Sequence, residues 1–218
     1  MKRSERHQLK RDELIASLNK LASLIKERSQ MFIIGGAAIL VIILVIFGVK
    51  FFKSQSLKAE GHLLSEVIKL SSDLRKNPEN IKKLEELAVK GDSSRLAYVK
   101  LGEYFIEKGE FGKAISYLEK ATKKKGDLFY AQSMNLIAQV HMEQKAYDEA
   151  IETYKKMEKE NPEGYSRDII LYHKAEALEK MGNTEEALVI YKQLEKEFPE
   201  TYFGHDAAGK INELEEIK

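Results

Sequence analysis

Side chains that could do chemistry are few and scattered along this sequence. Isolated histidines occur at four places in the C-terminal part, and no two have the spacing of a helical metalloprotease site: His62, His141, His173 and His205. The segment GKAIS (112–116) has a Gly-Lys pair but lacks the glycine loop and the following Ser or Thr of a phosphate-binding loop. No Ser/His/Asp triad or carboxylate pair stands out. We therefore predict that the protein is not an enzyme and has no catalytic residue, no cofactor and no metal site.

Composition and charge exclude further classes of function. The 218 residues include no cysteine, which excludes disulfides, thiolate nucleophiles and cysteine-bound metals. Residues 1–30 hold eight Lys or Arg against four Asp or Glu, a net charge of +4. Residues 50–218 hold 28 against 31, a net charge of −3. Because this larger part has no basic surplus, we expect no nucleic-acid partner.

A long apolar run separates these two parts. Residues 31–49 (MFIIGGAAILVIILVIFGV) carry no charge and would form a helix about 28 Å long, close to the hydrocarbon thickness of a bilayer. The run is longer than the apolar region of a cleaved signal peptide, and no cleavage site of small residues follows it. The excess of Lys and Arg before the run predicts a cytoplasmic N-terminus, although Lys50, Lys53 and Lys58 follow it. We predict one transmembrane helix and a C-terminal part outside the cytoplasm.

The basic tail, residues 1–30, is amphipathic. Leu14, Leu18, Leu21 and Ile25 fall on one helical stripe among basic residues. Such a helix lies on an anionic membrane surface, binds a partner helix or merely leads into the span. The sequence leaves these three alternatives open.

The remainder, residues 57–218, is rich in helix formers and shows no alternating strand pattern, so we predict an all-α fold. A repeat becomes visible on alignment of Ala114, Ala150 and Ala187, which lie 36 and 37 residues apart. The repeating units are 95–128, 131–164 and 168–201.

Each unit predicts two helices joined by a turn. The turns fall at Gly109, Lys145 and Gly182, and proline ends the second helix at Pro162 and Pro199. A small residue in the middle of each first helix, such as Gly102, would let the paired helix approach closely.

The pattern resembles the tetratricopeptide repeat, a 34-residue helix–turn–helix with small residues at its eighth and twentieth positions and proline at its thirty-second. The resemblance implies an α-solenoid of helical hairpins with a concave, protein-binding surface lined by the first helices. This sequence departs from the family pattern at two places. One is the fourth position, which holds Tyr98, Met134 and Leu171, and the other is Lys174. Residues 57–90 predict an extra hairpin, and residues 205–217 a capping helix.

The resemblance also implies which residues line the groove. In the family these are the second, fifth, ninth and twelfth positions, which here are Leu96, Val99, Glu103 and Ile106; Gln132, Asn135, Gln139 and Met142; and Ile169, Tyr172, Glu176 and Glu179. Val99 and Glu103 occupy two positions of the Lys/Asn/Arg clamp that binds a terminal carboxylate in chaperone-tail receptors. We therefore expect a groove for apolar or mildly basic peptide segments; the alternative is a solvated groove with partners bound elsewhere.

The order of tail, span and repeats is similar to that of the ancillary Sec translocon subunit family of bacterial envelopes. This resemblance implies an inner-membrane, single-pass scaffold with a periplasmic repeat domain, in contact with translocon subunits, chaperones or exported clients. Two alternatives remain: an accessory scaffold for cell division, cytochrome maturation or outer-membrane assembly, and a cytosol-facing import receptor. The sequence does not determine the oligomeric state.

Overall fold

The computed structural model describes residues 13–20, 23 and 29–216, with the side chains of the longest helix described from Leu40 onward. Every regular element in these ranges is helical, which confirms the predicted all-α class. The chain divides into two units, Met1–Lys58 and Ala59–Lys218. Of the predicted amphipathic stripe, Leu14 and Leu18 are helical and exposed, whereas Leu21 and Ile25 lie outside the described residues.

Helix α1, Ser29–Ser72, contains the apolar run. From Leu40 to Val49, every large apolar side chain is more than half exposed. In the part of the chain that the structure describes, α1 is the one helix long and apolar enough to cross a membrane, and its apolar window is not buried by protein. This differs from the core helix of a soluble domain, whose apolar side chains are covered by its neighbours.

Eight further helices form the unit Ala59–Lys218 together with the end of α1. They are α2 Asn80–Ala88, α3 Leu96–Glu107, α4 Phe111–Ala121, α5 Leu128–Glu143, α6 Tyr147–Glu160, α7 Arg167–Met181, α8 Thr184–Glu197 and α9 Tyr202–Glu216. A 3-10 turn, Ser93–Arg95, leads into α3. Consecutive helices from α3 to α9 pack against each other, and the first helices α3 and α5 also meet. The result is the stack of helical pairs that defines an α-solenoid.

Small residues permit the close packing within each pair. Ala114, Ala150 and Ala187 are completely buried. At Gly102 in α3, an added Cβ would lie 2.5 Å from Leu118 Cδ2 in α4, a distance that side-chain carbons do not adopt. The glycine therefore sets the approach of α3 to α4.

The turn within each pair uses the left-handed backbone region. Gly109, Lys145 and Gly182 have φ values of 71°, 60° and 91°. Glycine adopts this conformation without steric cost, whereas a side chain makes it unfavourable. The turn at Lys145 therefore has the same backbone conformation as the other two turns, with steric strain at the lysine.

Arg95 joins the first two repeats from a buried position. Its guanidinium donates hydrogen bonds to the carbonyl oxygens of Ala121 (2.6 Å) and Lys124 (3.3 Å), and it forms an ion pair with Asp127. Asp127 also caps α5 by accepting a hydrogen bond from the Tyr130 amide. One side chain thus connects the start of α3, the end of α4 and the start of α5.

Buried tyrosines connect the two helices of a repeat through their hydroxyl groups. Tyr191 of α8 donates to Glu179 of α7 over 2.9 Å, and Tyr130 of α5 donates to Glu160 of α6. Burial, reinforced by these acceptors, raises the pKa of both phenols well above their ordinary value. The hydroxyl groups therefore act as neutral donors that fix the register between helices.

Candidate protein-binding groove

A cavity of about 240 Å³ opens where the first helices of the three repeats come together. Four residues of the predicted groove line it, all from ninth or twelfth positions: Ile106 of α3, Gln139 and Met142 of α5, and Glu176 of α7. Its other lining residues are Glu143, Tyr154, His173 and Lys180. The cavity is therefore built from three successive repeats, and no single hairpin contains it.

The fifth positions do not face this cavity. Val99 is completely buried and Tyr172 is only 7% exposed, so neither presents a surface to a ligand. Asn135 is half-buried and accepts a hydrogen bond from the Tyr154 hydroxyl over 3.4 Å. Burial makes Val99 and Tyr172 packing residues, whereas a groove role for Asn135 stays a prediction.

The second positions also lie apart from the cavity. Leu96, Gln132 and Ile169 are half-buried, and Leu96 packs against the core formed with α1 and α2. Gln132 donates a hydrogen bond to Glu103 over 3.2 Å. Their side chains therefore serve contacts within the solenoid.

A second cavity, of about 400 Å³, lies between the end of α1 and α3. It contains Glu103, and its remaining lining residues are Ile68, Ser71, Ser72, Leu74, Arg75, Lys100, Tyr104 and Glu107. The concave surface thus continues from the repeats onto the extra hairpin.

Ion pairs within the fold involve all four charged side chains of the larger cavity. Lys100 Nζ lies 2.7 Å from Glu103, and Arg75 lies 2.8 Å from Glu107. A charged ligand would have to compete with these contacts there. In the smaller cavity His173 Nδ1 lies 2.7 Å from Glu176, whereas Glu143 and Lys180 form no ion pair among the described residues.

Aromatic rings give the smaller cavity a firm apolar wall. The His173 ring is stacked on Tyr154 with their centroids 6.0 Å apart, and Phe203 of α9 contacts His173 at 5.7 Å. Sequence reasoning assigned no groove role to Tyr154 or His173. The signal that could have found His173 is its spacing from Glu176, which is one helical turn away.

Gln139 is the exposed uncharged polar side chain of this cavity, beside the exposed charges of Glu143 and Lys180. In the described part of the chain its amide has no hydrogen-bond partner, unlike Asn135 and Gln132. An amide can both donate and accept, which suits the backbone of a peptide. Among the described residues, no three His, Asp or Glu side chains come together as a metal site.

Comparison with known proteins agrees with this architecture. Two tetratricopeptide repeat family models match residues 99–165 and 141–204. A search of curated proteins finds no match. One matching solved structure is the crystal structure of a Podosopora anserina protein assigned as a kinesin light chain with nearly identical TPR-like repeats. It is 16% identical, with a TM-score of 0.52, over 70% of this chain and 90% of that chain.

At this identity the solved structure bears on the fold alone, and the family models cover the helical pairs that form the smaller cavity. Residues 99–204 therefore consist of tetratricopeptide repeats, which indicate a protein-interaction scaffold.

Proposed function

We propose that the protein is a membrane-anchored scaffold whose concave groove binds an apolar side chain of a partner segment. The observation that carries this proposal is the cavity shared by Ile106, Met142 and Glu176, one from each repeat. An apolar side chain can enter between Ile106 and Met142, while the Gln139 amide bonds to the backbone of the segment. The charged lining of this cavity has two carboxylates, Glu143 and Glu176, against one ammonium, Lys180, which does not favour a terminal carboxylate.

The membrane anchor is supported by the exposed apolar surface of α1. From Leu40 to Val49 no protein covers these side chains, and a contiguous apolar surface of this size is unfavourable in water. A bilayer would cover it. The anchor would restrict the repeats to the vicinity of the membrane and so raise their effective concentration for partners there.

We further propose that these partners belong to envelope protein biogenesis: translocon subunits, periplasmic chaperones or exported clients. The support is the order of basic tail, span and repeats, with the repeat domain outside the cytoplasm as the charge bias predicts. In this role the protein brings partners together and performs no chemistry.

The proposal is tested by photo-crosslinking from inside the cavity. A photoreactive amino acid replaces exposed Gln139, and the same residue placed at Glu195, on the exposed face of a second helix, is the matched control. Adducts are identified by mass spectrometry. A Met142→Glu change, added to the protein that carries the photoreactive residue at position 139, is expected to abolish the adducts because it places a charge in the apolar cavity.

The adducts distinguish the candidate roles. Translocon subunits, chaperones or exported proteins captured at Gln139 and absent from Glu195 support the proposal. Capture of division, cytochrome-maturation or outer-membrane assembly proteins at Gln139 would overturn the translocon role. The scaffold function itself would still be supported. Equal adducts from both positions would overturn the groove as the binding site.

A further inference from the structure

Three lysines follow the apolar run on one face of α1. Lys50, Lys53 and Lys58 fall at helical spacings of three and eight residues, and with Ser54 and Leu57 they line a shallow depression of about 500 Å³. All three lysines are exposed. Since a helix turns about 100° per residue, the five side chains lie within less than half of its circumference.

The charge of this lysine face is not balanced by the protein. Residues 28–59 contain no Asp or Glu. In the described part of the chain none of the three lysines forms an ion pair, whereas many lysines of the repeats do, among them Lys100 and Lys125. Three unpaired cations within about two and a half helical turns form a strong local attraction for anions.

Ser54 offers a hydroxyl group at the centre of this face. Ser71 and Ser72, farther along α1, donate their hydroxyl protons to carbonyl oxygens of their own helix. Among the described contacts Ser54 makes no such bond. Its hydroxyl is available to an anion held between the lysines.

The position along the helix selects the source of that anion. With a rise of about 1.5 Å per residue, Lys53 lies about 4.5 Å beyond Lys50, within the depth of a lipid headgroup layer. The residues between them, Phe51 and Phe52, are exposed and apolar, so contact with the acyl-chain boundary is more favourable for them than contact with water. A phosphate at this level belongs to a phospholipid.

We propose that the lysine face binds the phosphate groups of anionic phospholipids in the leaflet on the C-terminal side of the span. Lys50 and Lys53 contact headgroup oxygens, and Ser54 donates to the same layer. Lys58 lies about 12 Å beyond Lys50 along α1, and its long side chain, which leans toward the N-terminal end of the helix, reaches back toward that layer. The proposal rests on the membrane span proposed above and adds a lipid preference to it.

The absence of native cysteine allows a local test in the full-length protein. The Gln55→Cys variant carries a fluorophore on its cysteine, within one turn of Lys53 and Lys58. The labelled protein is reconstituted into phosphatidylcholine bilayers. Quenching is measured with traces of phosphatidylglycerol or phosphatidylcholine that carry a spin label near the top of the acyl chain. The basic tail lies about 28 Å away across the apolar run, beyond the range of this quencher.

We expect phosphatidylglycerol to be enriched roughly fivefold over phosphatidylcholine at this site. This factor corresponds to about one kilocalorie per mole, the attraction of one lysine to an anionic membrane surface. The triple variant K50Q/K53Q/K58Q should quench equally with both lipids. The matched control K82Q/K90Q/K123Q removes three exposed lysines of the other unit and should keep the enrichment. Raising the salt concentration should reduce it through screening.

Each contrary outcome has its own meaning. Equal quenching by both lipids in the unchanged protein overturns the lipid site, while its stable insertion leaves the anchor intact. Equal loss of enrichment in the control variant also overturns the site, since net charge alone would then explain the preference. A protein that does not insert into the bilayer overturns the anchor and the lipid site together.

Discussion

At the scale of single residues, the repeats are held in register by buried polar contacts that span about thirty positions of sequence. Arg95 is the clearest of them because its side chain is only 8% exposed and donates to three main-chain carbonyl groups as well as Asp127. A planar guanidinium has five donors and can serve all four acceptors at once, whereas an ammonium has only three donors. Removing such a group leaves its hydrogen-bond acceptors buried, with neither a donor nor water to bond to.

Arg95→Met is therefore expected to lower the free energy of unfolding by about 2–3 kcal/mol, the scale for acceptors left unpaired in a partly buried site. Urea unfolding of the full-length protein in detergent measures this through tyrosine fluorescence. The chain has no tryptophan, and its ten tyrosines all lie between residues 98 and 202, so this signal reports on the repeats and the start of α9.

The control for Arg95 is Lys124→Gln. Lys124 pairs with Asp92 over 2.5 Å, but the two side chains are 56% and 66% exposed. Such an exposed pair contributes little to stability, so only a small loss is expected. Similar losses in the two variants would contradict the structural role given to Arg95.

Glu160 gives the repeats a defined response to acid. Burial alone would raise its pKa, but hydrogen bonds from Tyr130 and Lys125 outweigh that effect and lower the pKa below 4.5. A carboxyl whose pKa is lower in the folded state stabilises the fold fully above its unfolded pKa, and that contribution is lost as the pH falls through the folded value.

We therefore expect the stability difference between the unchanged protein and Glu160→Gln to be largest at neutral pH and to shrink as the pH falls below 4.5. Urea midpoints at three pH values from neutral to acidic measure it. Glu195→Gln, at an exposed position, is the control and should show only a small difference. A constant difference for Glu160→Gln would refute the proposed linkage.

At the scale of elements, the turn between α5 and α6 departs from its two equivalents. Lys145 has a φ of 60°, where the other repeats place glycine. Lys145→Gly should raise the stability by about 0.5–1 kcal/mol, because relief of left-handed strain exceeds the entropy cost of glycine.

Gln144→Gly is the neighbouring control for this turn. Gln144 has a φ of −81°, which any residue adopts, so glycine there should only destabilise. Both variants are compared by thermal unfolding. A destabilised Lys145→Gly would show that the lysine side chain contributes more than the strain costs.

The contact between α3 and α4 depends on the missing side chain of Gly102. Gly102→Ala should cost about 1–3 kcal/mol, because Leu118 is completely buried and its Cγ and Cδ2 would both lie 2.5 Å from the new methyl group. Gly112→Ala in α4 meets open space and should be neutral or stabilising by about 0.5 kcal/mol. The denaturant midpoints of the two variants measure these effects. A shift of both midpoints in the same direction would contradict the steric role given to Gly102.

The sequence predicted the elements better than the groove, for a physical reason. Ala114, Ala150 and Ala187 repeat at a fixed distance, and each turn carries its own local signal, so the helical pairs follow from nearby residues. Val99 occupies a groove position by alignment, yet the structure buries it completely. Its burial depends on how neighbouring helices pack, as do the contacts of Arg95, and neither leaves a local pattern in the sequence.

At the scale of the whole molecule, the two units suit two different surroundings. The unit Ala59–Lys218 presents a groove whose larger cavity has its charges paired within the protein, and whose smaller cavity has an apolar wall of aromatic rings. The unit Met1–Lys58 presents an exposed apolar helix followed by unpaired lysines. The proposed anchor and groove together would recruit partners next to a bilayer, and the direction of the chain across that bilayer would decide which partners it can meet.

That direction is predicted by the eight Lys and Arg of residues 1–30. In bacterial cells expressing single-cysteine variants, a membrane-impermeant maleimide should label Glu195→Cys once the outer membrane is permeabilised. Ser4→Cys should react only after the inner membrane is opened, and both should react in detergent. The opposite order would place the repeats in the cytosol, because three lysines after the span would then have outweighed the tail, and it would favour the import-receptor alternative over a periplasmic scaffold.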